Sequence, residues 1–229
     1  MTISNEARDR IKKVFEPVAL GMGRLGLTPD GLTLIGFGIT VVGAVLLSQQ
    51  LWLAGGLVVF LGGAFDMFDG TLARATGKVS KLGAFMDSVF DRWGEAIVYL
   101  GIIAGCAFAG FPAGAILAAA AMGAAFMVSY TRAKSEGLGF TDGTGMAAVG
   151  IMPREARLVI LSLGLIFAPV PIHEPVPAGA ACAGACDVWQ GGTLTLALAI
   201  IAIGSIITVI QRILHVRSQA KSAAIHSTQ

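Results

Sequence analysis

Four aspartates stand at fixed intervals inside an apolar stretch: Asp66-x-x-Asp69-Gly70-x-x-Ala73-Arg74, then Gly83-x-x-x-Asp87-x-x-x-Asp91. An acidic side chain at mid-membrane costs roughly 2.5–3.5 kcal/mol even on the lenient insertion scales. Lys and Arg are scarce in this stretch, so a divalent metal is the natural counter-charge. Asp66 and Asp69 are three apart and Asp87 and Asp91 four apart, spacings that put each pair on one face of a helix. The short connection between the two helices makes them antiparallel neighbours, so that all four carboxylates converge. Hard oxygen ligands select Mg²⁺, Mn²⁺ or Ca²⁺. Four carboxylates exceed what one Mg²⁺ takes from protein, so two ions about 3.5–4 Å apart are expected, an arrangement suited to phosphoryl-group chemistry. Gly70 and Ala73 leave a smooth helix face for a ligand, Gly83 offers the same clearance opposite, and Arg74 supplies a bidentate fork for phosphate. The competing reading of the same residues is a cluster of pump- or channel-like acids among helix-packing glycines.

The elements that must hold these residues are membrane helices. The 229-residue chain is 55% hydrophobic and 13% charged, against about 25% charged in a soluble domain, with mean hydropathy +0.78. Apolar runs long enough to span a bilayer fall at about 32–48, 51–75, 82–109, 113–133, 157–170 and 193–214, giving an all-α polytopic bundle of six transmembrane helices. No signal peptide precedes them. Residues 3–18 place Ile3, Ala7, Ile11, Val14, Phe15 and Val18 at helical spacing opposite Arg8, Asp9, Lys12 and Lys13, which reads as an amphipathic helix on the cytoplasmic membrane surface. With six spans, every Lys and Arg falls on one side, and the positive-inside rule puts both termini and the carboxylates in or facing the cytoplasm. The chain divides into an N-terminal juxtamembrane segment (1–27), the six-helix catalytic domain (28–214) and a cytoplasmic tail (215–229). The net charge of +2 gives no footprint for nucleic acid. Cys106 reads as a core residue, while Cys182 and Cys186 share a Pro- and Gly-rich loop where a disulfide is conceivable in an oxidising compartment.

The eight set residues over 26 positions resemble the signature D-x2-D-G-x2-A-R-x8-G-x3-D-x3-D of the CDP-alcohol phosphotransferase family, with every fixed position filled. The resemblance implies a six-helix membrane bundle, commonly a homodimer, that moves a substituted phosphate from a CDP-linked donor to an alcohol and releases CMP. By position it implies metal ligation by Asp66, Asp69, Asp87 and Asp91, with Mg²⁺ or Mn²⁺ as cofactor, and Asp91 as the general base. Gly70, Ala73, Arg74 and Gly83 would line the CDP pocket, with Asp30 and Ser80 as further nucleotide-side contacts.

A second, cationic cluster bears on the acceptor. Arg132 and Lys134 end the fourth span, Arg154 and Arg157 open the fifth, and Arg212 ends the sixth. Cations converging from three helix ends make a pocket for a dianionic phosphate, the bland alternative being ordinary topology signals. Ser129-Tyr130-Thr131-Arg132-Ala133-Lys134, Asp91-Arg92 and Gln211-Arg212 resemble the phosphatidylinositol-phosphate synthase branch, which implies CDP-diacylglycerol as donor and inositol 1-phosphate as acceptor. In that branch Arg132, Lys134, Arg154 and Arg212 would hold the acceptor phosphate. The chain departs from the branch at Pro153-Arg154-Glu155-Ala156-Arg157, where Glu-Arg-Pro-Glu-Arg is usual. A phosphatidylglycerol-phosphate synthase is the alternative enzyme and a cation transporter the alternative outside enzymes. A transporter predicts acids spread through the bilayer depth rather than gathered at one end.

Overall fold

The computed structural model describes residues 16–140, 146–168 and 192–226. Most of the expected surface helix (3–15) and most of the loop with Cys182 and Cys186 (169–191) lie outside the described residues. Helix α1 covers residues 16–24. It is followed by α2 (Pro29–Ser48), α3 (Trp52–Ala75), α4 (Lys81–Phe108), α5 (Pro112–Gly137), α6 (Arg154–Ile166) and α7 (Gly192–His226). No strand occurs among the described residues.

Local chemistry sets the helix starts near the aspartates. Thr28 caps α2, its Oγ1 accepting from the Gly31 amide at 3.1 Å, with Pro29 in the first turn. Ser80 caps α4 in the same way, accepting from the Gly83 amide at 2.9 Å. At the far end of α4, Gly110 takes a φ of 68° that lets the Phe111 amide bond back to the Cys106 carbonyl at 2.8 Å and reverses the chain into α5.

The six long elements close a ring. Helix α2 packs on α3 and α4, α4 on α5, α5 on α7, α7 on α6, and α6 on α3. The core inside it includes Trp52, Val98, Tyr99, Ile102, Leu165, Leu198 and Ile201. Glycines bring α2 close to its neighbours: a Cβ on Gly101 would collide with the Ala44 carbonyl, and one on Gly105 with the Leu47 carbonyl. Outward faces carry exposed Leu34, Phe60, Ile116 and Ile203, apolar surface of the kind lipid covers.

The chain is a membrane protein, and among the described residues four helices (α2, α3, α5 and α7) are long and apolar enough to cross a bilayer. The other two expected spans do not meet that description. Helix α4 has 28 residues, but its first fifteen carry Lys81, Asp87, Asp91, Arg92 and Glu95. Helix α6 has 13 residues, about 20 Å of helix against a hydrocarbon thickness of about 30 Å. A second difference concerns the neighbours. The sequence reading sets α3 and α4 directly against each other, whereas α2 is the helix that both pack on, and α3 and α4 make no extensive contact of their own. Two acidic faces pressed together would bury like charges without water or counter-ion. The wedge of α2 leaves a gap between them instead.

Candidate metal and phosphate site

The gap is where the aspartates meet. One carboxylate oxygen from each of Asp66, Asp69 and Asp87 lies within 4.8 Å of the others. Asp69 is the buried member and is held from two sides. Thr33 Oγ1 on α2 donates to its Oδ2 at 2.5 Å, and the Gly70 amide donates to its Oδ1. Asp66 packs on α2 where Gly36 makes room, an added Cβ there standing 3.4 Å from Asp66 Oδ1. Three convergent carboxylates with no thiol or imidazole form a hard-oxygen donor set, which fits Mg²⁺ or Mn²⁺.

Asp91 stands outside that trio. Its Oδ1 is 2.7 Å from Arg154 Nη1 and its Oδ2 is 3.5 Å from Arg92 Nη1. Arg154 also donates from Nη2 to Asp66 Oδ2 at 3.1 Å, so one guanidinium from α6 joins acids of α3 and α4.

These residues line a cavity of about 1080 Å³. Its polar wall holds Asp66, Asp69, Gly70, Arg74, Asp87, Asp91 and Arg154. Phe60, Met67, Leu158 and Val159 form an apolar flank between α3 and α6. The volume is at the upper end for small-molecule sites, large enough for a nucleotide diphosphate. Arg74 is exposed and folds over Gly70, its Nη1 3.2 Å from where a Cβ would sit. Asp30, Ser80 and Gly83 form a separate group and do not line this cavity: a Cβ on Gly83 would lie 3.0 Å from Ser80 Oγ and 3.5 Å from Asp30 Oδ1.

Of the four cations expected on the acceptor side, only Arg154 lines the cavity. Arg132 is exposed and pairs with Glu136 one turn on, at 2.9 Å. Lys134 is exposed on the same helix. Arg212 is buried; its Nε donates to the Val149 carbonyl at 3.0 Å and its Nη1 to the Val128 carbonyl, tying α7 to α5 and to the segment before α6. Arg132 and Arg157 are close enough to Arg212 to repel it, so the cationic cluster exists, though much of it is committed to other partners.

Three residues of the site escaped the sequence reading. Thr33 has no acidic or basic character to flag it. Glu95 follows Asp91 by one turn on the same face, and that spacing could have found it. Arg157 was noted only as a cation, yet it is 2% exposed and pairs with both oxygens of Glu95, Nε–Oε1 at 2.7 Å and Nη2–Oε2 at 2.8 Å.

A helical membrane bundle that gathers three carboxylates and an arginine at one roomy cavity defines a membrane protein with a candidate divalent-metal and phosphate site. The family model for CDP-alcohol phosphatidyltransferase matches residues 26–216, and the chain belongs to that family. It is 35% identical over 168 residues to archaetidylinositol phosphate synthase of Pyrococcus horikoshii, covering 73% of this chain and 85% of the relative. It is 34% identical over 209 residues to phosphatidylinositol phosphate synthase of Mycolicibacterium smegmatis, covering 90% and 85%. Among solved structures it resembles Mycobacterium tuberculosis phosphatidylinositol phosphate synthase with CDP-DAG bound, at TM-score 0.72 and 29% identity, covering 89% of this chain and 94% of that one. The same enzyme in complex with manganese and citrate superposes at TM-score 0.69, covering 88% of each chain.

Proposed function

We propose that this protein transfers a phosphatidyl group from CDP-diacylglycerol to a phosphorylated alcohol, with inositol 1-phosphate the foremost acceptor, giving phosphatidylinositol phosphate and CMP. The observation that carries this reading is the meeting of the Asp66, Asp69 and Asp87 carboxylates with Arg154 in one cavity. The named relatives support it, being archaetidylinositol or phosphatidylinositol phosphate synthases, one of them with CDP-DAG bound.

Divalent ions held by Asp66, Asp69 and Asp87, with Asp91 beside them, would screen the donor's pyrophosphate and stabilise the attacking and leaving oxygens. The chain's own residues do the rest. Gly70, Ala73 and Arg74 receive the diphosphate, and Asp30, Ser80 and Gly83 stand on the cytidine side. The apolar flank of Phe60, Met67 and Val159 faces the lipid part of the donor, which would enter sideways from the bilayer. Arg154 takes the acceptor's phosphate, with Arg132, Lys134 and Arg212 adding positive field around it. Asp91 accepts the proton of the acceptor hydroxyl as its oxygen bonds to the lipid-bearing phosphorus. The bond to the CMP oxygen breaks, and CMP carries that electron pair away. The active site and both termini lie on the cytoplasmic side in this reading, supported by the one-sided distribution of Lys and Arg.

The test is CMP release by the purified protein from CDP-diacylglycerol in Mg²⁺, with inositol 1-phosphate, glycerol 3-phosphate, free inositol and serine offered in turn. Inositol 1-phosphate should give the highest kcat/KM, and excess chelator should abolish turnover. A preference for an acceptor without phosphate would overturn the assignment.

A further inference from the structure

Two ion pairs connect α4 and α6, one helical turn apart. The outer pair is Asp91–Arg154 at 2.7 Å, already part of the site. The inner pair is Glu95–Arg157, with Arg157 buried and Glu95 half-buried, both carboxylate oxygens being engaged at 2.7 and 2.8 Å. Glu95 follows Asp91 by four residues and Arg157 follows Arg154 by three, so the pairs are successive rungs of one ladder. Arg157 also donates from Nη1 to the Met152 carbonyl at 3.1 Å, just ahead of α6. From the other side, Thr208 of α7 accepts from the Ile151 and Met152 amides at 3.2 and 3.0 Å. The first turn of α6, which carries Arg154, is thereby held from α4 and from α7.

A buried ion pair is a weak source of net stability, because desolvating two charges offsets most of their attraction. Its geometric demand is strict, since a bidentate fork fixes distance and rotation together. We propose that Glu95 and Arg157 are positioning residues for the acceptor side: their inner rung sets the height and rotation of α6 and so holds Arg154 at the mouth of the carboxylate cavity. The proposal rests on the reading above, in which Arg154 holds the acceptor phosphate. Glu95 itself touches neither substrate. Its effect travels through Arg157 and one turn of helix.

The experiment compares wild type with Glu95→Gln and with the double variant Glu95→Met/Arg157→Met. The double variant removes the pair without leaving a lone buried charge, a replacement that buried pairs tolerate well. Both variants should raise the acceptor KM by about tenfold while the donor KM changes less than about twofold. Titration with inorganic phosphate, which needs no turnover, should show a matching loss of affinity in both. A double variant that is monodisperse in detergent and keeps wild-type acceptor KM and phosphate affinity overturns the positioning role. Equal rises in both KM values overturn it as well, since they indicate a general loosening. If wild type uses no phosphorylated alcohol, the acceptor reading fails, and the phosphate titration still decides whether the inner rung governs an anion site.

Discussion

Arg154 Nη1 lies 2.7 Å from Asp91 Oδ1, and the same guanidinium reaches Asp66 at 3.1 Å. One cation thus joins an acid of the candidate metal trio to the acid proposed as general base. An acceptor phosphate that draws on the donors of Arg154 must compete with both carboxylates. On the proposed assignment of Arg154 to the acceptor, success in that competition would free Asp91 to take a proton and so link acceptor binding to base availability through a single side chain.

Asp91→Asn is the direct check on the base. The amide keeps the size of the side chain and can accept from Arg154, but it cannot take a proton. Turnover should fall by about 10²-fold or more, the usual contribution of a positioned base. Binding of CDP-diacylglycerol, followed by equilibrium titration, should change little. Near-normal turnover would move the base elsewhere.

Arg154→Ala and Arg212→Ala should part company. Arg154 borders the cavity, so its loss should raise the acceptor KM by about tenfold or more with a smaller effect on the donor. Arg212 bonds two backbone carbonyls; Val128 keeps the Thr131 hydroxyl as a partner, whereas the Val149 carbonyl loses its side-chain donor, at about 1–3 kcal/mol. Thermal unfolding in detergent should therefore register Arg212→Ala clearly and Arg154→Ala weakly. The reverse ranking would make Arg212 the acceptor residue and Arg154 the structural one.

The motif aspartates and the helix starts were legible because both follow local rules. Spacings of three and four map onto one helix face, and the apolar runs begin within three residues of the helices that contain them, while the caps at Thr28 and Ser80 emerged only with the structure. The missing parts depend on contacts between helices that no local pattern encodes. Thr33 reaches Asp69 across 36 positions, Arg157 reaches Glu95 across 62, and Arg212 reaches Val128 across 84. The placement of α2 between the two acidic helices is of the same kind. Its glycine-lined contacts are visible only once α3 and α4 have been set on either side of it. The fifth apolar run continues past Ile166, where α6 ends, so the run read from the sequence is longer than the helix it contains.

Gly101→Ala probes that wedge. The added methyl would meet the Ala44 carbonyl at a distance no Cβ tolerates, and backbone on both sides cannot rotate away. Helix α4 must then separate from α2, at a cost of about 1–3 kcal/mol. The measurement is the unfolding midpoint together with activity at low temperature. A fall in stability should accompany weaker metal binding, because α4 carries Asp87. Unchanged stability would mean that α2 and α4 are not packed as described.

Thr33→Val tests whether α2 also tunes the metal site. Thr33 Oγ1 donates to Asp69 Oδ2 at 2.5 Å in a buried setting and leaves Oδ1 to the Gly70 amide. Valine fills nearly the same volume without the hydroxyl, so the helix packing survives while Asp69 loses one of its two restraints. Partners that orient a ligating carboxylate are typically worth about 10–100-fold in metal affinity. Mn²⁺ titration followed by electron paramagnetic resonance should show weakening on that scale, with Thr33→Ser restoring most of it. Activity at saturating Mn²⁺ should approach wild type, since no reacting group has been removed. Should Thr33→Val bind Mn²⁺ as tightly as wild type, Asp69 would not be a ligand whose orientation matters, and the trio would reduce to Asp66 and Asp87.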